Sequence, residues 1–79
     1  MAEIRTGNHA ARVFTAEQKL MAVRREVRLR RGVYASRVAA GRMSVSDSER
    51  EISVMEAIAA DYQRIVDDER AKKDLFGGA

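Results

Sequence analysis

Glu51-Ile52-Ser53-Val54-Met55-Glu56-Ala57-Ile58-Ala59-Ala60-Asp61-Tyr62 holds the pattern that decides the fold. Ile52, Met55, Ala59, Tyr62 and, beyond the quoted stretch, Val66 follow one another at intervals of three and four residues. That is the spacing of one face of an α-helix, and no strand can align it, because strand side chains alternate with period two. Ile58 and Ile65 flank the line and broaden it to the width of a bundle helix. Asp47, Glu49 and Glu51 precede it and Arg70, Lys72 and Lys73 follow it, the polarity a helix dipole favours at its two ends. The spacing predicts a helix over about 45–72. Two N-caps are available: Ser46 with Glu49 makes the S-x-x-E box, and Ser44 with Asp47 a weaker one.

Working back toward the N-terminus, Gly41 is placed to end an earlier helix in the left-handed conformation that other residues adopt poorly. Thr15 and Gln18 have capping-box spacing, so that helix is expected over about 16–40. Leu20, Val27 and Tyr34 recur every seven residues along it, with Val23 and Val38 widening the stripe. Met21, Leu29 and Val33 lie off this seam and are free for a second contact. Gly32 costs about 1 kcal/mol relative to alanine inside a helix, which marks it as a weak point or a site of close approach.

Two helices of about 25 residues, each roughly 37 Å long, joined by about four residues, must run antiparallel. The fold class is all-α: a helical hairpin over 15–73, with a flexible arm at 1–14 and a flexible tail at 74–79. Gly7-Asn8 reads as a turn in the arm, and Gly77-Gly78-Ala79 should be frayed. With 79 residues and no cysteine, neither a large core nor a disulfide is available to stabilise the fold. Both seams are wider than one partner helix can cover. A homodimer forming a four-helix bundle is therefore expected, with Leu20, Val23, Val27, Tyr34, Ile52, Met55, Tyr62 and Val66 as its core and dimer contacts.

Charge is segregated along the chain. Residues 1–43 hold ten basic and three acidic side chains and residues 44–79 five and nine, so +7 and −4 combine to the net +3. Arg24, Arg28 and Arg31 share one helix face, with Arg25 and Arg37 nearby. Guanidinium groups match phosphate and carboxylate geometry, so the run reads either as a nucleic-acid ridge or as a set of ion pairs. Folding about Gly41–Ser44 brings Arg28 and Arg31 level with about 54–58, and Arg24 with about 61, where Glu56 and Asp61 can meet them. The surplus is expected on the outward face of the first helix. No aromatic is interleaved with the arginines for base stacking, which weighs against single-strand binding.

Catalytic chemistry finds no foothold. His9 stands alone in a polar stretch, and none of Ser44, Ser46, Ser48 and Ser53 has a histidine placed to activate it. Asp67-Asp68-Glu69 points in three directions on a helix and lacks the spacing of a calcium loop. No phosphate loop, nucleophile elbow or dinucleotide fingerprint is present, so neither an enzyme nor a cofactor is expected. No apolar run approaches the ~20 residues of a membrane span. Cysteine usage and the lack of an apolar leader region point to the cytoplasm.

The segments Val23-Arg24-Arg25-Glu26 through Gly32-Val33-Tyr34, then Gly41-Arg42-Met43-Ser44, then Glu51 through Tyr62 resemble a family of small phage and prophage proteins, over roughly residues 18–65. The resemblance implies phage origin and helical structure, and no chemistry. Members often carry proline after the Val-Tyr pair; here Ala35 stands there, which leaves the continuity of the helix at Tyr34 to be determined. Asp74-Leu75-Phe76 is similar to the end of the peptide with which bacterial replication proteins dock into the sliding clamp, with Lys72 and Lys73 in place of the leading Gln and Leu. Two readings follow. One is a non-enzymatic interaction protein that inhibits a host protein or ribonucleoprotein handling nucleic acid, of the anti-CRISPR kind, acting in the host cytoplasm through Arg24, Arg25, Arg28, Arg31, Arg37, Leu75 and Phe76. The other is an accessory protein of phage recombination or replication that binds DNA or RNA weakly through the arginine-rich helix.

Overall fold

The structure, a computed structural model, describes residues 12–76. Among them are two helices and no strand: α1, Ala16–Ala39, and α2, Val45–Phe76. Together they form the antiparallel hairpin that the two apolar stripes require. The turn at Gly7-Asn8, His9, most of the expected arm and the Gly77–Ala79 end lie outside the described residues.

Local chemistry fixes the ends of α1. Thr15 is extended, its hydroxyl accepts from the Gln18 amide at 3.0 Å, and Gln18 Oε1 accepts from the Thr15 amide at 2.9 Å. Two of the amides that a helix start leaves unpaired are thereby satisfied. At the other end Arg42 N–H donates to the Arg37 carbonyl at 2.8 Å and Gly41 N–H to that of Val38 at 3.0 Å. This pair of bonds is the Schellman motif, and it needs a left-handed residue, supplied by Gly41 with φ +74°. Between these ends α1 passes through Tyr34 and Ala35 without interruption, as a residue with a free amide and no ring allows.

Of the two candidate caps for α2, the weaker box is the one used. Ser44 Oγ accepts from the Asp47 amide at 3.0 Å, and Ser46 lies inside the first turn. Ser44→Ala is expected to lower stability by about 1 kcal/mol, and Ser46→Ala to stay within about 0.5 kcal/mol. Urea denaturation of the two variants checks the contrast. At its C-terminus α2 runs through Lys72 and Lys73 to Phe76, four residues beyond the expected end.

The two helices meet along a narrow seam. Leu20 (4% exposed) and Val27 (8%) from α1 are buried with Ile52 (8%) and Val66 (4%) from α2. Val23, Tyr34, Val38, Met55, Ala59 and Tyr62 are half-buried along the same lines. Among the described residues no side chain is completely enclosed. A single pair of helices covers one stripe of each, so Met21, Leu29 and Val33 on α1 and Val54, Ile58 and Ile65 on α2 stay in solvent.

Gly32 has open space around the position its Cβ would take, so close approach within the hairpin does not explain it. It is a weak point in α1. Gly32→Ala is expected to stabilise the hairpin by about 0.5–1 kcal/mol, read as a higher urea midpoint at unchanged slope.

Candidate interaction surface

Three contacts across the seam fix the register of the hairpin. Arg31 pairs with Glu56, Arg24 donates to Gln63 Oε1, and Arg70 reaches Glu17 at 3.5 Å. The residue numbers in each pair add to 87, as a regular antiparallel alignment demands. The sequence places Arg24 level with about 61; the structure sets it two residues further on, at Gln63. Side chains on both helices lean toward their own N-termini. The tip of an α1 side chain therefore meets one rooted further along α2 than a simple folding about the turn indicates. Asp61 is engaged by Arg64 on its own helix.

The arginine row consequently does not lie on the outward face of α1. Arg24 and Arg31 reach over one flank of the seam toward α2. Arg24, Val27 and Arg28 from α1 and Glu56, Ala59, Ala60 and Gln63 from α2 line a shallow open groove there. Its α2 wall is low because Ala59 and Ala60 are small. Gln63 also donates to Asp67 at 2.9 Å, so the Arg24 acceptor is itself held in place. Gln63 is not readable as the Arg24 partner from spacing within either helix, and only the sum of 87 identifies it; Asp67, four residues further along α2, is its ordinary helix neighbour.

Among the described residues Arg25, Arg28 and Arg37 make no ion pair. Arg37 lies over the Tyr34 ring at 5.9 Å and occupies the last turn of α1, where the dipole favours a cation. The opposite flank of α1 carries Lys19, Arg30 and this Arg37 on one face, with Glu26 beside them. There Lys19 lies over the Tyr62 ring at 5.6 Å, and Arg30 Nε donates to Glu26 at 2.9 Å. That hydrogen bond, with help from Tyr34 and against desolvation, holds the Arg30 guanidinium above its ordinary range, so it remains a cation. The exposed pairs that cross the seam align the helices more than they stabilise them, because solvent screens them.

Leu75 and Phe76 occupy the last turn of α2 and are exposed. By the register of 87, Ala16 comes level with residue 71, so Lys72–Phe76 runs past the start of α1. Among the described residues no group of three His, Cys, Asp or Glu side chains could hold a metal ion. No helix there is long and apolar enough to cross a membrane. The chain matches no family model, no curated protein and no solved structure.

Proposed function

We propose that the chain is a non-enzymatic interaction protein: two hairpins associate into a four-helix bundle, and the Arg24–Arg28 flank docks on a partner surface. The observation that carries this reading is the uneven neutralisation of that flank. Glu56 offsets Arg31, whereas Arg24 rests on the neutral Gln63 and Arg28 meets no carboxylate among the described residues. The α2 wall of the groove between them is low at Ala59 and Ala60, and its one acid, Glu56, is engaged by Arg31, so a carboxylate or phosphate can approach both guanidinium groups. Bidentate pairing with such a group is what arginine offers and lysine does not.

The partner in this reading is a host protein or ribonucleoprotein that handles nucleic acid, met in the host cytoplasm, and the outcome is inhibition of the anti-CRISPR kind. The resemblance of residues 18–65 to small phage and prophage proteins supports the phage setting. A second reading, direct weak binding to DNA or RNA, is favoured by the unpaired Arg25 and Arg28. Sliding-clamp docking through Asp74-Leu75-Phe76 would accompany it, and the exposure of Leu75 and Phe76 is compatible with that.

Titration of random duplex and single-stranded DNA at several salt concentrations separates the two. Protein docking predicts affinity no better than about millimolar at low salt. Direct binding through Arg24, Arg25 and Arg28 predicts measurable affinity with a log–log salt slope of about −0.9 per phosphate contact, near −3 for the three. Micromolar binding with that slope would replace the first reading by the second.

A further inference from the structure

α1 is apolar on two sides. At about 100° per residue, Met21, Leu29 and Val33 lie on the side that faces away from Leu20 and Val27. They are 62%, 59% and 47% exposed. Ala22, Gly32 and Ser36 stand between them, and space is open where a Gly32 Cβ would be. Arg25 is the one charge on this strip, which runs from Gln18 to Ala39. The other charges of α1 are gathered into two borders. Arg24, Arg28 and Arg31 with Glu17 form one, and Lys19, Arg30 and Arg37 with Glu26 form the other, so each has a net of +2. A helix side open to water ordinarily carries the charges. α2 follows that rule, since its side facing away from the seam holds Arg50, Asp61, Arg64, Asp68 and Lys72.

The borders specify the segment that suits the strip. Both of their acids are engaged, Glu17 by Arg70 and Glu26 by Arg30. Arg28 and the central Arg25 make no ion pair among the described residues. A second α1 laid on the strip would set net positive charge against net positive charge along both borders. The α2 of a second copy carries acids, but the strip faces away from its own α2, so that contact is head-to-tail and does not close into a pair. A duplex backbone would satisfy the arginines and leave Met21, Leu29 and Val33 against phosphates. An amphipathic helix whose apolar line is edged by carboxylates satisfies strip and borders together. The small side chains of Ala22, Gly32 and Ser36 let such a helix approach closely.

We propose that a partner docks an acidic amphipathic helix along this strip, with its apolar line on Met21, Leu29 and Val33 and its carboxylates at Arg25 and Arg28. This rests on the partner-docking reading above and gives that partner a secondary structure and a charge. From Met21 to Ser36 the strip is about 22 Å long, or about four helical turns.

The probe is a labelled peptide of about three heptads, leucine at a and d and glutamate at e and g, whose like charges keep it from pairing with itself. Its lysine counterpart is the charge control. In fluorescence anisotropy at about 0.1 M salt the glutamate peptide is expected to bind at about 10 μM or tighter, and the lysine peptide at least about 100-fold more weakly. Leu29→Gln removes apolar surface and keeps the charge; it is expected to weaken binding at least about tenfold, and Val54→Gln on α2 less than about twofold. Both positions are exposed, so both variants keep the fold. Absence of glutamate-peptide binding at about 0.5 mM, or equal binding of the two peptides, overturns the proposal. Binding that survives Leu29→Gln and is lost in Arg28→Ala overturns the strip and leaves docking at the arginine flank standing. Loss of self-association in Leu29→Gln, read by light scattering, assigns the strip to a second copy and overturns the partner helix. The docking reading itself falls separately, by micromolar DNA binding with the salt slope given above.

Discussion

Leu20→Ala is expected to remove most of the helical signal from the chain at micromolar concentration and room temperature. Leu20 is 4% exposed, one of the two most buried side chains, and it is rooted near the open end of the hairpin. Truncating a buried leucine to alanine costs about 2–5 kcal/mol, because transfer energy is lost and the cavity closes only in part. A domain of this size has about 3–5 kcal/mol in total, so one such substitution is comparable with the whole. Alanine is also the better helix former, so any loss cannot be assigned to propensity. Met21→Ala, at the next position but exposed, is the control and is expected to change stability by less than about 0.5 kcal/mol. Far-UV circular dichroism across a urea series distinguishes the two variants. Equal effects at the two positions would contradict the assignment of the seam.

Gly41→Val is expected to lower stability by about 2 kcal/mol or more, although the Cβ it adds meets open space. The cost expected here is conformational. At φ +74° an L-residue suffers about 1–2 kcal/mol of strain, and branching at Cβ increases it. Relief of the strain would break the two hydrogen bonds that Gly41 and Arg42 return to α1, and with them the turn that sets the register. Gly41→Asn, which tolerates the left-handed region, should recover much of the loss. The opposite sign expected for Gly32→Ala provides an internal comparison: both glycines have open space at the Cβ position, and Gly41 alone holds a positive φ.

Most of the architecture was legible because it rests on short-range chemistry. The Thr15–Gln18 box, the Gly41 cap and the stripes through Leu20, Val27, Ile52 and Val66 each announce themselves over a few residues. The C-terminal end of α2 was harder to read. After Val66 the chain is charged and polar without period, and it carries no breaker before Gly77, so helix formation simply continues through Phe76. The choice between Ser44 and Ser46 turned on where the chain leaves the Gly41 turn, which a box spacing does not encode. The position of the arginines was the least legible feature. Their shared face followed from spacing, but whether that face points outward or along the seam depends on register. Register in turn depends on the lean of side chains on two helices at once. Gln63, the Arg24 acceptor, carries no charge and so does not stand out in the sequence as an arginine partner.

The charge segregation takes on a more limited meaning in this fold. Arg31 and Arg70 are paired across the hairpin with Glu56 and Glu17, and Arg30 and Arg64 with acids on their own helices. The cations that remain available on the groove flank are Arg24 and Arg28, with Arg25 beside them. In the proposed reading a partner is recognised by these few groups and not by the net charge of the first 43 residues.

The hairpin is proposed as half of an assembly, and the mass of the particle in solution tests that most directly. Light scattering on the purified chain at about 0.1 mM should give twice the 8.8 kDa chain mass, with helix content and stability that fall together on dilution. A fully helical particle of 8.8 kDa, with a urea midpoint independent of concentration, would contradict it.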